Sequence, residues 1–358
     1  MKIGIITYHK AHNYGAILQA IATRMVLEQM GHKVYYVDYW PSYHREAYKL
    51  FSWHRFKKFK FGYLKNRLTH WTAISSRIKH FEADINRHIE PFCIPYSKES
   101  QLDVVVYGSD QIWRKQFATG QLNPVYFGCN VLTAPRNITY AASMGVLIEE
   151  ETIKNEISKW LKNFDMISIR EMDLQEYIAG MGYRSELVLD PTLLVDRNMW
   201  DSILPQHKIA EPGYVLYYSL NAGAFDTEVI KEFAKRKHLR FVEVKGAAGR
   251  DSENCISQCG PTDFVSLIKG ASYVFSTSYH GLIFSIIYEK NFYTSFSSNG
   301  GRASSILEIT GLRDRMLQPM VKTIPELVDI DYTSVKKCLS PLRLNSIDYL
   351  NQALHNGK

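Results

Sequence analysis

The sequence is poor in the features that usually declare a protein's class. Its five cysteines, Cys93, Cys129, Cys255, Cys259 and Cys338, are odd in number and scattered, which argues against a disulfide framework and predicts reduced thiols. Cys255 and Cys259 have no second pair and no H-E-x-x-H motif accompanies them, so no metal site is expected. No stretch approaches the roughly 20 uninterrupted apolar residues that a membrane-spanning helix needs. The start, MKIGIITYHK, reaches polar residues too early for a signal peptide, which predicts a cytoplasmic protein. Low-complexity tracts and short repeats are absent too, excluding a disordered chain or a repeat array.

What is present is an ordinary globular composition with one local anomaly. At 358 residues the chain is too long for one typical core and suits two domains. Its net charge of +7 is concentrated: ten Lys and Arg lie between Arg45 and Lys79, with Glu46 as the single acid. There the stretch FSWHRFKKFKFGYLKNRL interleaves aromatics with bases. It reads as a solvated insertion docked on the first domain, or as a surface lying against anionic membrane headgroups at the inner face of the membrane. Nucleic acid is not the expected partner, because no recognised binding module accompanies the charges.

The organisation is α/β. KIGIITY reads as a strand, GAILQAIATRMVLEQMG as a helix and KVYYVDYW as a second strand, a βαβ unit whose right-handed crossover predicts a doubly wound parallel sheet. DVVVYGSD, NITYAASMG, DMISIREMD and SELVLDPTLLV continue the pattern. A break near DRNMWDSILPQHKIAEPG precedes a second alternation, with strands in YVLYYSL, RFVEVKG, YVFSTS and NFYTSF. The expected fold is two Rossmann-like doubly wound domains facing across a cleft, a GT-B-like architecture. Residues 1–205 form the expected acceptor-side domain with an insertion at 43–90. Residues 206–358 form the second domain, whose last helix packs back on one or the other.

In such sheets ligands bind beyond the carboxyl ends of the strands, where helix N-termini present free N–H groups. Asn13 and Gly15 follow the first strand, as a helix cap and a close-approach glycine or as ligand contacts. Ser109 and Asp110 end VVYGSD; Asp110 caps the next helix or serves as a general base toward a sugar hydroxyl. Trp113, one turn on, stacks on a sugar or fills the core. Arg170 and Arg302 are candidates for anion recognition. Against this, Arg170 can pair internally with Glu171 or Asp173, and Arg302 can be a plain exposed arginine. Ser278, Tyr279 and His280 close the strand YVFSTS, and Gly281 is expected to begin the next helix. An imidazole held there, beside a positive helix end, suits a phosphate or carboxylate and can exchange protons at neutral pH.

NYGAILQA, GSDQIW, SIREMD, LDPTLL and above all GPTDFVSLIKGASYVFSTSYHGLIFSIIYEKNF resemble the polysaccharide pyruvyl transferase family, in order from Asn13 to about Leu312. The resemblance implies a GT-B-like fold and transfer of a pyruvyl group from phosphoenolpyruvate to hydroxyls of a sugar or lipid-linked saccharide, with phosphate released and no cofactor or metal. By resemblance Arg170 and His280 take the donor-binding positions, and Arg302 corresponds to a basic residue in the loop after the next strand. The chemistry then gives His280 the roles of phosphate binder and general acid, with Asp110 as base. Two other readings remain: a glycosyltransferase on the same fold using a sugar nucleotide, and a non-catalytic member of a polysaccharide assembly system.

Overall fold

Two five-stranded, wholly parallel sheets share one strand order. The first runs β3-β2-β1-β4-β5, from β1 (Lys2–Ile6), β2 (Lys33–Asp38), β3 (Cys93–Pro95), β4 (Val104–Tyr107) and β5 (Arg136–Thr139). Between the sheets in sequence, β6 (Ser168–Ile169) and β7 (Glu186–Leu187) pair with each other, and parallel bridges from Ile138 to Met166 and Ala142 to Ile169 tie them to β5. The second sheet runs β10-β9-β8-β11-β12, from β8 (Tyr214–Ser219), β9 (Arg240–Lys245), β10 (Cys255–Ile256), β11 (Tyr273–Ser276) and β12 (Asn291–Thr294). The computed structural model describes residues 1–49, 68–116, 119–129, 131–205, 210–220, 223–246, 249, 251–296 and 301–355.

Each sheet reverses direction beside its first strand, so each has a switch point where a crevice opens at the carboxyl edge. Central strands are covered on both faces, which is why β4 is VVVY and wholly buried with no polar alternation. Ile3 of β1 pairs with Val34 on one side and Val104 on the other. The architecture is thus the α/β, two-Rossmann, GT-B-like one expected. The boundary anticipated after residue 205 abuts residues 206–209, outside the described residues. No helix among the described residues is long and apolar enough to cross a membrane. All five cysteines are free thiols.

The last helix spans Tyr332–His355 and runs through Pro341. It crosses to the first half, where Tyr349 Oη donates to the Thr139 carbonyl at 2.8 Å and Ser346 Oγ accepts from Leu189 N at 2.9 Å.

The insertion departs from expectation as well. Its helix Trp71–His88 docks not on the first half alone but across both. Phe81 stacks on Tyr14, while Arg77 donates to the Ser257 carbonyl at 2.8 Å and Tyr14 Oη at 2.7 Å. The buried Asp84 carboxylate accepts from Thr262 N and Oγ1, each at 2.9 Å, at the start of the helix Pro261–Gly270. Arg55, Lys57, Lys58, Lys60, Lys65 and Arg67, the bases on which a membrane reading chiefly rests, lie outside the described residues.

Two buried imidazoles give the fold an acid weakness. Burial, with Arg114 near one and Arg87 near the other, lowers His44 and His88 to about 4. Both are neutral in the folded chain at pH 7 and gain protons more readily once unfolded. Their contribution is therefore complete above pH ~6.5 and is lost as the pH falls toward about 4. Urea titrations at pH 7 and pH 5 should show a loss on the order of 1 kcal/mol per imidazole. His44→Gln and His88→Gln should each flatten that dependence.

Candidate active site

Segments that follow strand carboxyl ends of both sheets meet between the halves, and their centre is a carboxylate. Asp190, just after β7, caps its own turn: Oδ1 accepts from Thr192 N at 3.0 Å and Thr192 Oγ1 at 2.6 Å. Its other oxygen, Oδ2, accepts from Arg170 Nη1 and stands 3.6 Å from His280 Nε2. Exposure is 1% for Asp190, 4% for Arg170 and 6% for His280, so this is a desolvated charge cluster. Burial alone would raise the Asp190 pKa. The Arg170 charge and then His280 outweigh it and hold the carboxyl well below its usual range.

Arg170, at the end of β6, also donates from Nη1 to Ser109 Oγ at 3.0 Å, and its Nη2 stands 3.6 Å from Asp110 Oδ1. Its acid partner is therefore Asp190, not Glu171 or Asp173. Glu171 turns the other way, where Oε1 accepts from Ser143 Oγ and lies 3.8 Å from Arg302 Nε. Burial raises the Glu171 pKa against the pull of both arginines. The buried ring of Tyr279 lies under both guanidinium groups, 5.0 Å from Arg170 and 5.2 Å from Arg302. Arg302 is no plain surface arginine: it is the second residue of the helix Gly301–Ile309 and its side chain is 16% exposed. Burial, and next the charge of Arg170, lower its pKa.

The two glycines singled out play different parts. A Cβ on Gly15 would fall 2.0 Å from His280 Nδ1, so the first turn of the helix Tyr14–Gln29 rests directly on the imidazole. A Cβ on Gly281 would fall 2.1 Å from Ser276 Oγ; this glycine lets the helix pack on β11 and opens no path to a ligand. That helix spans Tyr279–Ile287, two residues earlier than expected, because the extended Ser278 is already its cap. His280 is thus in the first turn. Ser278 N donates to Ser276 Oγ at 3.0 Å.

Trp113 is not at the site. It is wholly buried, stacked on Phe127, with Nε1 donating to the Tyr126 carbonyl at 2.9 Å. Asn13 is exposed and caps the helix Tyr14–Gln29, accepting from Ala16 N at 3.2 Å. Asp110 adopts a left-handed φ of 48° and accepts from Gln111 N at 2.8 Å.

Against known proteins, residues 13–299 match the family described as polysaccharide pyruvyl transferase. The chain belongs to that family. No curated protein matches the sequence significantly. Similar solved structures include the E. coli heptosyltransferase WaaC with ADP, 12% identical, covering 96% of this chain and 100% of that one at a TM-score of 0.43. The glycosyltransferase SnogD from Streptomyces nogalater is 10% identical, covering 97% and 95%, also at 0.43.

Within this polysaccharide pyruvyl transferase family member, Arg170, His280 and Arg302 stand together around Tyr279, with Ser109 and Asp110 behind Arg170. The residue that sequence reasoning missed is Asp190. Its only signal was a carboxylate after a strand-like run and before a proline, in LDPTLL, which reads as a turn cap.

Gly15→Ala is expected to leave the fold standing and to cost turnover. The methyl must displace the His280 ring, and a misplacement of about 1 Å can lower a rate on the order of 10²-fold. Steady-state phosphate release, set against an unchanged circular dichroism spectrum, checks this.

Proposed function

We propose that the protein transfers a pyruvyl group from phosphoenolpyruvate to two hydroxyls of a sugar in a cell-surface polysaccharide or its precursor, forming a cyclic ketal and releasing phosphate. One observation carries the donor. Arg170 Nε and Nη2, Arg302 Nε and His280 Nε2 are buried with no hydrogen-bond partner among the described residues. Buried donors left unmatched are costly, and a ligand with a carboxylate and a phosphate would engage both guanidinium forks. The first turn of the helix Tyr279–Ile287 adds free N–H groups to the same space.

The steps balance without a cofactor. A sugar hydroxyl oxygen bonds to the carbon bearing the phosphate while the methylene carbon takes a proton, becoming a methyl group. His280 supplies that proton, and Asp110 accepts the one from the hydroxyl. The bond from that carbon to the phosphate oxygen then breaks, and the second hydroxyl oxygen closes the ring. The proton of the second hydroxyl returns to His280 and the one held by Asp110 leaves with the phosphate, so both side chains recover their starting states and the two protons lost by the hydroxyls equal those gained by the methyl group and the phosphate. Arg170 and Arg302 stabilise the departing charge in a desolvated site, where fixed donors act most strongly.

Differential thermal denaturation tests the donor. Phosphoenolpyruvate at 100 times its Kd should stabilise the fold by about 2.7 kcal/mol. Stabilisation by a sugar nucleotide and none by phosphoenolpyruvate would overturn the reading in favour of glycosyl transfer.

A further inference from the structure

In the stretch NYGAILQA, Gln19 carries a primary amide into the interior, wholly buried in the second turn of the helix Tyr14–Gln29. Both of its amide protons and its oxygen are engaged. Nε2 donates to Thr7 Oγ1 at 2.9 Å and to the Ala16 carbonyl at 2.8 Å, and Oε1 accepts from Ser109 N at 3.1 Å. A carbonyl only accepts and a backbone N–H only donates, so the amide has a single orientation here. Thr7 directly follows β1, and Ser109 lies two residues beyond β4. One side chain therefore joins the exits of two strands that pair with each other.

An apolar side chain would fill this space without the cost of burying an amide, and what the amide holds explains its presence. Ser109 is the residue that meets Arg170. Its hydroxyl donates to the Ala141 carbonyl at 3.3 Å, which leaves its lone pairs to accept from Arg170 Nη1 at 3.0 Å. The next residue is Asp110. Gln19 thus fixes the backbone from which both the Ser109 hydroxyl and the Asp110 carboxylate project. The same helix face serves the second half of the chain: Gly15, four residues earlier and so on that face, is where the His280 ring rests. A single helix sets the imidazole and the guanidinium relative to each other.

We propose that Gln19 is a positioning residue of the site, acting through Ser109 on Arg170 and on Asp110 without touching donor or acceptor. The inference rests on the pyruvyl-transfer reading for the role of Asp110, whereas the link from Gln19 to Arg170 stands on its own distances.

Isothermal titration with phosphoenolpyruvate and with inorganic phosphate tests the link in wild type, Gln19→Met, Ser109→Ala and the double variant. Gln19→Met keeps the length of the side chain and leaves Ser109 N without its acceptor. It should weaken the binding of each anion about tenfold, the low end of what a hydrogen bond to a charged group is worth. Ser109→Ala should cost a similar factor. Adding Gln19→Met to it should weaken binding by no more than about twofold, because the path to Arg170 is already cut. Turnover separates the two branches: at saturating phosphoenolpyruvate the double variant should release phosphate about tenfold more slowly than Ser109→Ala, since only Gln19→Met also frees the Asp110 backbone.

Thr23→Val is the control. It removes another buried hydrogen bond of the same helix, to the Gln19 carbonyl at 2.8 Å, and should lower the denaturant midpoint with both affinities unchanged. Should Gln19→Met fail to fold, Thr7→Val, which removes only the hydroxyl that accepts from the amide, carries the same comparison with smaller losses. Additive losses in the double variant, wild-type affinities in Gln19→Met, or an equal loss of affinity in Thr23→Val each overturn the proposal. Wild type that binds inorganic phosphate and not phosphoenolpyruvate removes the donor reading instead, and the phosphate series still decides the role of Gln19.

Discussion

His280→Gln is expected to lower phosphate release from phosphoenolpyruvate, with acceptor present, by about 10²- to 10⁴-fold, the usual worth of a positioned general acid. Glutamine keeps a side chain of similar reach with an N–H to offer, but it cannot give up a proton at neutral pH. The fold should survive. The imidazole contacts Gly15 in the first turn of the helix Tyr14–Gln29 and lies 3.6 Å from Asp190, and neither contact anchors the core of the second sheet. Phosphoenolpyruvate should therefore still bind, with its carboxylate and phosphate held by the two arginines. A loss of turnover with retained binding is the signature of acid catalysis; turnover near wild type would remove His280 from the chemistry.

Asp190→Ala should have the largest effect on stability. The carboxylate is wholly enclosed and accepts from Arg170 Nη1, Thr192 N and Thr192 Oγ1. Deleting one partner of a buried pair leaves the other as an uncompensated charge, a change of about 3–5 kcal/mol. The denaturant midpoint should fall accordingly, and turnover with it, because Arg170 and His280 lose their common reference point. Asp190→Asn keeps an oxygen for the Thr192 cap and loses only the charge, so it should recover part of the stability and little of the turnover. The pH dependence has a definite sign. A carboxyl whose folded pKa is depressed contributes stability that is present above its unfolded value of about 3.9 and is lost as the pH falls below it. Asp190→Asn should lack that acid-side decline. Equal stability of wild type and Asp190→Ala at pH 7 would contradict the account of the charge cluster.

The sheets were legible because a parallel strand buried on both faces must be a continuous apolar run. VVVY and YVLYYS can hardly be anything else once helical stretches flank them. Arg170, His280 and Arg302 were legible for a related reason, as charged or titratable groups at the ends of such runs. Their mutual arrangement was not. Asp190 looks like a turn cap from its neighbours, and it is one. Only tertiary folding shows that its second oxygen joins a residue from the first half to a residue from the second. The glycines make the same point: Gly15 and Gly281 carry equal local signals, and what each faces, an imidazole or a serine hydroxyl, is settled by distant chain. Trp113 stayed open between its two readings because an indole has one sequence signature for stacking on a sugar and for filling a core. Arg77 and Asp84 look like a solvated helix face for as long as the second half that they grip is out of view.

The central claim is that a pyruvyl group moves from phosphoenolpyruvate to a sugar. Mass spectrometry of candidate saccharides, free, lipid-linked and nucleotide-linked, after incubation with the protein and phosphoenolpyruvate in heavy water tests it most directly. The predicted result is an acceptor heavier by one pyruvyl ketal, with a single solvent deuterium in its methyl group and phosphate released in equal amount. An acceptor that is unchanged by phosphoenolpyruvate but gains a sugar from a sugar nucleotide would contradict it.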